Sequence, residues 1–356
     1  MYVQSYTHDP RNWLMKRHRL GLLVLVFALV VTPVAAHVPS DPGDNDSPEQ
    51  AVQVSDAAKS WSYYDELDDG EAQYYEVTVA ADERLQVSAF TPVDGAFTPS
   101  LVVMAPGLNG GEAPPGVAVP DGMGAVVVEG ERPATPGYEP FAPSANYETA
   151  AFEHDSSTQT TYLVALYEPA NRSGPAGVAI GYQESFSLAE YGTVPFALVE
   201  THLWEGQPLV VAVGPFALTV VAGAGALLTR RRDVFEGTLA EYALVAGGLL
   251  VLASGVNTLV QTGIALSATG PTAGALVTAA YVVVPAVCGA WALRVATRPG
   301  PIGARTRVGL VVAGLAAFAT WGGFLVGPAL LVTVAVVPEQ VLGWQPVASV
   351  AGSRRE

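Results

Sequence analysis

The stretch "GEAQYYEVTVAADERLQVSAFTP", residues 70–92, decides the fold class of the first half of the chain. Polar and apolar residues alternate along residues 72–80 and again along residues 84–91, and a short polar link joins the two runs. An alternation of period two places successive side chains on opposite faces of a β-strand. The stretch therefore predicts two consecutive strands, each with one face in a hydrophobic core.

Further runs of this kind follow, separated by Gly, Pro and Asp residues: "SLVVMAP", "GAVVVEGE", "ETAAFEH", "TTYLVALYE" and "AGVAIGYQE". No apolar stripe of helical period extends over three turns between residues 50 and 182. Short strands with turn residues between them are typical of antiparallel sandwiches. We therefore predict an all-β domain, an antiparallel sandwich, over residues 51–206.

The strand pattern of residues 70–182 resembles the pre-peptidase C-terminal domain of secreted proteins. The residues that carry the resemblance are Tyr75-Glu76-Val77, Ala80-Ala81-Asp82-Glu83, Leu85-Gln86-Val87 and Thr161-Tyr162-Leu163-Val164. The chain departs from that family in a long insertion at residues 108–146. The resemblance implies a jelly-roll-like sandwich that accompanies or anchors another component and is not itself catalytic.

Charge is distributed unevenly along the chain, whose formal net charge is −16. Residues 37–207 hold 27 acidic residues against four basic ones, and the whole chain has only two lysines. Dense carboxylates with few lysines resemble the surfaces of proteins from extreme halophiles, where they keep the surface hydrated in molar salt. This balance argues against nucleic-acid binding, which needs a basic footprint.

The amino terminus has the layout of a secretory signal peptide over residues 1–36. Basic residues 15–19 precede a short apolar run at residues 20–31, and Val34-Ala35-Ala36 fits a signal-peptidase site. The alternative is an uncleaved signal anchor. Residues 1–14 are interpreted as a mis-called start or a tolerated extension, and the polar residues 37–50 are predicted to form a flexible acidic leader.

Four apolar runs follow the β domain, at residues 208–229, 239–266, 272–293 and 308–337. Each is at least as long as the roughly 20 residues that a helix needs to span a membrane. Arginines cluster after the first run and between the third and fourth, which predicts that these loops are cytoplasmic. We expect an all-α four-helix transmembrane bundle, a multi-pass protein of the cell membrane, with the β domain and residues 338–356 outside.

Polar residues Ser254, Asn257 and Gln261 recur at helical spacing within the second apolar run. Such a stripe either lines a path through the bundle or bonds a neighbouring helix. Outside the apolar runs, Asn171 and Asn45 begin glycosylation sequons and are candidate modification sites.

Three histidines form a candidate metal site: His37, His154 and His202. If the signal is cleaved after Ala36, His37 becomes the amino-terminal residue and offers its amine together with its ring nitrogen. Imidazole nitrogens suit copper, so copper is the cofactor that this hypothesis implies. We predict that no cofactor binds and that the three residues have no shared role, with copper binding as the alternative.

No G-x-S-x-G, H-E-x-x-H or P-loop motif occurs, so we predict that the protein is not an enzyme. The leading hypothesis is a membrane-anchored cell-surface protein that displays a β-sandwich as a binding or structural module. Its expected partners are the lipid bilayer and an envelope component, a polysaccharide or another membrane subunit. A second copy of the chain, in a homo-oligomer, is a further expected partner. The alternatives are a surface copper-binding protein and a subunit of a membrane transport complex.

Overall fold

The computed structural model describes residues 37–230, 238–298, 300, 302–338 and 341. The predicted signal peptide, residues 1–36, lies outside the described residues, as does most of the predicted tail, residues 338–356. The described residues belong to one compact unit, in which the β domain and the helices pack against each other.

Two β-sheets build the first half of this unit. The strands are β1 (Val38–Ser40), β2 (Val52–Val54), β3 (Trp61–Leu67), β4 (Ala72–Val79), β5 (Glu83–Pro92), β6 (Ser100–Ala105), β7 (Gly124–Val128), β8 (Gly137–Glu139), β9 (Ser144–Ser156), β10 (Thr160–Tyr167) and β11 (Gly174–Ile180). Sheet A has the order β1-β3-β11-β5-β9-β8, and sheet B has the order β2-β4-β10-β6-β7. The predicted two-sheet β domain is confirmed. Consecutive strands from β3 to β6 alternate between the two sheets.

The period-two pattern of residues 70–92 explains the core between the sheets. Val77 and Val79 of β4 and Leu85 and Val87 of β5 are buried in one hydrophobic cluster to which both sheets contribute. The insertion covers the opposite face of sheet B, where Val117 packs in a second cluster. Sheet B is therefore apolar on both faces, since it lies between the main core and the insertion.

Residues 37–50 differ from the flexible leader that the sequence predicted. Val38 is only 4% exposed, and β1 pairs in parallel with the edge strand β3. The amide of Asn45 is also buried and donates to the carbonyl oxygen of Tyr74. Pairing with the free edge of a sheet satisfies the backbone groups of this polar segment, so its composition did not reveal its order.

Helices form the rest of the described chain. They are α1 (Leu188–Trp204), α2 (Leu209–Ala212), α3 (Gly214–Arg230), α4 (Leu239–Thr269), α5 (Gly274–Ala296), α6 (Ala304–Ala319) and α7 (Val326–Val336). The sequence analysis predicted that residues 188–204 belong to the β domain and did not predict the helix α1. A capping box at its start, in which Ser187 and Glu190 bond each other's backbone N–H groups, was the available signal.

The fourth predicted span, residues 308–337, is a hairpin of two helices instead of one helix. The side chain of Arg307 near the start of α6 donates to the carbonyl oxygens of Ala335 and Val337 at the end of α7, at 2.8 and 3.1 Å. The chain reverses at Trp321-Gly322-Gly323-Phe324-Leu325, where Gly323 adopts φ 78°. The start of α6 and the end of α7 therefore lie together. The prediction of a single fourth helix, and with it of a four-helix bundle, is wrong.

Two described helices, α4 and α5, are long and apolar enough to cross a membrane. The helices α3 and α7 are apolar but shorter. The second and third predicted spans thus match continuous helices, whereas the first contains the break between α2 and α3.

Close packing of α4 on α5 depends on Gly289. A Cβ atom on this residue would lie 2.5 Å from the backbone nitrogen of Leu252 and 2.6 Å from the carbonyl oxygen of Gly248. Because both neighbours are backbone atoms, neither can rotate away, and the two helices would have to separate.

We predict that Gly289→Ala lowers the free energy of unfolding by about 1–3 kcal/mol, the usual cost of overpacking. Gly263→Ala in α4 is the matched control, since a Cβ there meets no atom within 4 Å. Thermal unfolding of both variants in detergent measures the difference. Equal melting temperatures for the two variants would contradict this account of the α4–α5 contact.

Candidate functional site

The last residue of α1 fixes the helices to sheet A. Trp204 packs edge-to-face on Tyr64 and Phe90, with ring centroids 5.0 and 5.6 Å away. Its indole N–H donates to the carbonyl oxygen of Asp65 at 2.8 Å. An aromatic ring with its polar atom satisfied is a strong anchor, so α1 and sheet A hold each other in one orientation.

The end of the insertion forms a second attachment between the two halves. Tyr138 donates to the hydroxyl of Thr278 on α5, which in turn donates to the carbonyl oxygen of Pro140, both at 2.7 Å. On the other side, the backbone N–H of Ala145 donates to the carboxylate of Glu205 at 3.3 Å. The loop between β8 and β9 therefore lies against the C-terminal end of α1 and the N-terminal end of α5.

An aromatic cluster joins these attachments at the turn of the α6–α7 hairpin. Its central residue is Trp321, whose ring lies 5.2 Å from Tyr191, 5.5 Å from Tyr281, 6.0 Å from Phe186 and 6.2 Å from Phe141. Trp321 has φ 51°, a left-handed conformation that is unfavourable for a bulky residue. Such conformations persist only where surrounding contacts hold them, and they concentrate at functional sites.

A cavity of about 160 Å³ lies between sheet A and the helices, next to this cluster, and we call it the junction cavity. Its polar lining comes from His37, Ser62, Tyr64, Ser88, Glu139, Asn146 and Glu148, and its aromatic lining from Phe90, Phe141, Phe186 and Trp321. An apolar or aromatic wall with a few polar groups is the usual composition of a ligand site.

The electrostatics of the junction cavity are dominated by Glu139. Removal of its carboxyl from bulk water, with the negative charge of Glu184 as a smaller cause, raises its pKa to about 7. The backbone N–H of Phe141 donates to the same carboxyl and opposes this shift. Burial lowers the pKa of the His37 ring, so that ring is neutral at pH 7.

A second cavity, of about 60 Å³, lies deeper among the helices, and we call it the inner cavity. It shares Phe141, Leu198 and Trp321 with the junction cavity, so these three side chains separate the two spaces. Asn257 and Gln261 also line it. The amide oxygens of both residues and the indole N–H of Trp321 are buried and have no hydrogen-bond partner among the described residues.

The polar stripe of α4 forms hydrogen bonds with two irregular segments, the break between α2 and α3 and the turn of the α6–α7 hairpin. Gln261 donates to the carbonyl oxygen of Val211 at 3.1 Å. That oxygen has no helical partner, since the residue four positions on is Pro215, which lacks an N–H. Asn257 donates to the carbonyl oxygen of Ala212 at 3.1 Å, and the N–H of Gly323 in the hairpin turn donates to Ser254 at 2.8 Å.

The three predicted metal ligands lie in different places. His37 lines the junction cavity and its Nδ1 shares a short hydrogen bond with the hydroxyl of Ser60. His202 lines the inner cavity, and its Nδ1 lies 3.0 Å from the carboxylate of Glu205. His154 is exposed on β9 beside Phe152. No group of three His, Cys, Asp or Glu side chains in the described ranges could hold a metal, and copper binding stays a prediction.

The two candidate glycosylation sites differ in accessibility. Asn171 is exposed in the turn between β10 and β11, where it has φ 53°. Asn45 is 2% exposed, and a glycan on its nitrogen would displace the hydrogen bond to Tyr74. In the folded protein only Asn171 offers a free amide, and its modification stays a prediction.

Apart from His37, the residues that line the junction cavity were not predicted from the sequence. Glu139 and Glu148 are two of many acidic residues in an acidic domain, so nothing in the sequence marked them. Trp321 carried a signal, because the Gly322-Gly323 pair beside it interrupts an apolar run.

No family model and no curated protein sequence matches the chain. Among solved structures, the chain is similar to the periplasmic inhibitor of g-type lysozyme, PliG, from Aeromonas hydrophila. The match covers 37% of this chain and 96% of PliG, with 18% sequence identity and a TM-score of 0.23. A likeness of this size carries no argument about function. The resemblance to the pre-peptidase C-terminal domain stays a prediction.

We predict that Glu139→Gln changes the pH dependence of stability. A carboxyl whose pKa is raised on folding adds stability at low pH and loses it as the pH rises from 4.5 through about 7. The variant has no such loss, so its melting temperature relative to the wild type should rise between pH 5 and pH 8.

The exposed Glu153, which pairs with Arg84 on sheet A, provides the control variant Glu153→Gln. The charged group that acts on Glu139 is Glu184, and both variants retain it. If the difference in melting temperature between Glu139→Gln and the wild type is constant from pH 5 to pH 8, the pKa of Glu139 is not raised by folding.

Proposed function

We propose that the protein is a multi-pass membrane protein that holds its β domain rigidly on the outer face of the membrane and binds a ligand in the junction cavity. The junction cavity is the observation that carries the binding function. It lies where the β domain meets the helices, and residues from both halves line it.

Exposed apolar side chains support the membrane location. Among described residues 37–187, Val119 is the sole large apolar side chain that is clearly exposed. In the helices, by contrast, many are exposed, including Leu276 at 78%, Leu218 at 69% and Val221 at 69%. An apolar surface of this kind is costly in water and suits lipid.

The ends of the helices support one orientation. The β domain contacts the end of the helical region where α5 begins and the α6–α7 hairpin turns. Arg230 lies at the far end of α3, Arg294 in the last turn of α5 and Arg307 in the first turn of α6. All three are at the opposite end, which is cytoplasmic by the positive-inside rule.

Rigid attachment gives the extra helices a role. One helix would suffice to anchor a sandwich, whereas here α1, α5 and the hairpin turn each contact the β domain. A site formed by the β domain and the helices together requires a fixed orientation between them. Contacts from several helices provide that orientation. The β domain is then part of the binding site and not a module on a flexible stalk.

The hairpin changes the proposed position of the carboxyl terminus. Because the chain leaves α7 beside Arg307, we place the tail in the cytoplasm, with the sequence pair Arg354-Arg355. We predict that a cysteine added after Glu356 is labelled by a membrane-impermeant maleimide only after the membrane is opened. A cysteine at the exposed Ser173 is the control and should react in intact cells. Labelling of both without opening the membrane would reject this topology.

Binding in the junction cavity is tested on the full chain in lipid nanodiscs with 5-fluorotryptophan in place of tryptophan. The resonance of Trp321 is assigned by its loss in Trp321→Phe, and a panel of small cations, anions and neutral polyols is titrated. We predict a saturable shift at Trp321 for at least one chemical class. Trp291 on α5 lines none of the described cavities and is the internal reference. A Trp321 signal that responds to no class would reject the site.

A transport subunit is the second candidate function. The observation that favours it is the inner cavity, which adjoins the junction cavity and has buried polar atoms without partners. Loss of solute flux in proteoliposomes on Gln261→Leu, with the junction cavity still able to bind, would separate this function from binding alone.

A further inference from the structure

We propose that the junction cavity binds a small organic cation that also carries an oxygen acceptor, such as a hydroxyl. This inference rests on the proposed binding function and adds the chemical class of the ligand. Three features of the cavity wall carry it: the sign of its charged side chains, its aromatic rings and one indole N–H without a partner.

The charged side chains of the wall, those of glutamate, are all negative. Glu139 and Glu148 contribute carboxyls, and no lysine or arginine belongs to the described lining. The nearby Lys59 is already paired with Glu190 and lies over the ring of Trp61 at 4.3 Å. Carboxyls at a partly enclosed site attract a cation, and a bound cation relieves the cost of keeping them ionised.

The aromatic rings of the wall favour an organic cation over a metal ion. Phe90, Phe141, Phe186 and Trp321 contribute rings to the wall. Ring faces attract ammonium groups through their negative quadrupole, an interaction worth about 0.5–2 kcal/mol. A metal ion would instead need several oxygen or nitrogen ligands, and no set of three suitable side chains meets among the described residues.

The indole of Trp321 supplies the independent observation. The residue is 7% exposed and its N–H has no acceptor in the described structure, although the ring forms part of the cavity wall. A buried donor without a partner loses roughly 1–3 kcal/mol. A ligand oxygen would satisfy it, which a simple tetraalkylammonium ion cannot do.

Three probes of similar size separate these requirements. Choline has both a cation and a hydroxyl, tetramethylammonium has the cation alone, and 3,3-dimethylbutan-1-ol is the uncharged analogue of choline. Each is titrated into the full chain in phosphatidylglycerol nanodiscs while the fluorine resonance of Trp321 is recorded.

We expect choline to produce a saturable shift and to bind at least about tenfold more tightly than its uncharged analogue, a difference of about 1.4 kcal/mol. Tetramethylammonium should bind with intermediate affinity. Glu139→Gln and Glu148→Gln should each weaken choline binding severalfold, whereas Glu153→Gln should leave it unchanged. A melting curve for each variant confirms that it is folded.

Two results would overturn the ligand class in different ways. If the uncharged analogue binds as tightly as choline, or if only anions and polyols of the wider panel bind, the cation assignment fails while the site itself stands. If no compound of any class shifts Trp321, both the ligand class and the proposed binding function fail.

The source of the cation is decided by the lipid. If phosphatidylcholine nanodiscs without added probe give the choline-shifted resonance, the ligand is a lipid headgroup. If the shift requires free choline in both lipids, the ligand is a soluble amine. Either result supports the shared cation chemistry.

Discussion

Hydrogen bonds from one face of α4 to the interrupted helices are the interaction on which the helical region depends. Ser254, Asn257 and Gln261 satisfy backbone groups at the break before α3 and in the turn of the α6–α7 hairpin. Buried backbone groups without partners are costly, most of all in an apolar surrounding. The unbroken helix α4 therefore permits two irregular segments to exist where a continuous helix would otherwise be required.

These irregular segments position the junction. The hairpin turn brings Trp321 to the end of the helices that meets the β domain, and Trp204 and Tyr138 hold the β domain over it. The junction cavity is a consequence of this arrangement, because neither sheet A nor the helices enclose it alone. Its carboxyls come from the β domain, and one of its aromatic residues, Trp321, comes from the turn of the hairpin.

Residues 37–50 and α1 show where composition misleads. The first segment reads as disordered because it is polar, yet β1 completes the edge of sheet A. The second, residues 188–204, falls within the predicted β domain because that domain extends to the start of the first long apolar run. It contacts the β domain through Trp204 and the hairpin turn through Tyr191, so both sides of it are covered. Run length misleads in a similar way for the fourth apolar run. The run is long enough for one membrane span, but its Gly322-Gly323 pair lies where the chain reverses.

The sequence by itself determined the two-sheet β domain and the apolar helices that follow it. Both follow from local periodicity and from run length, which neighbouring residues set. It also placed a polar stripe on α4, although it left two interpretations open. The tertiary structure alone decided that Arg307 meets Ala335, that Glu139 and Trp321 share one cavity, and that the three histidines do not meet. Those relations join residues far apart in the chain, and only the packing of the two halves brings such residues together.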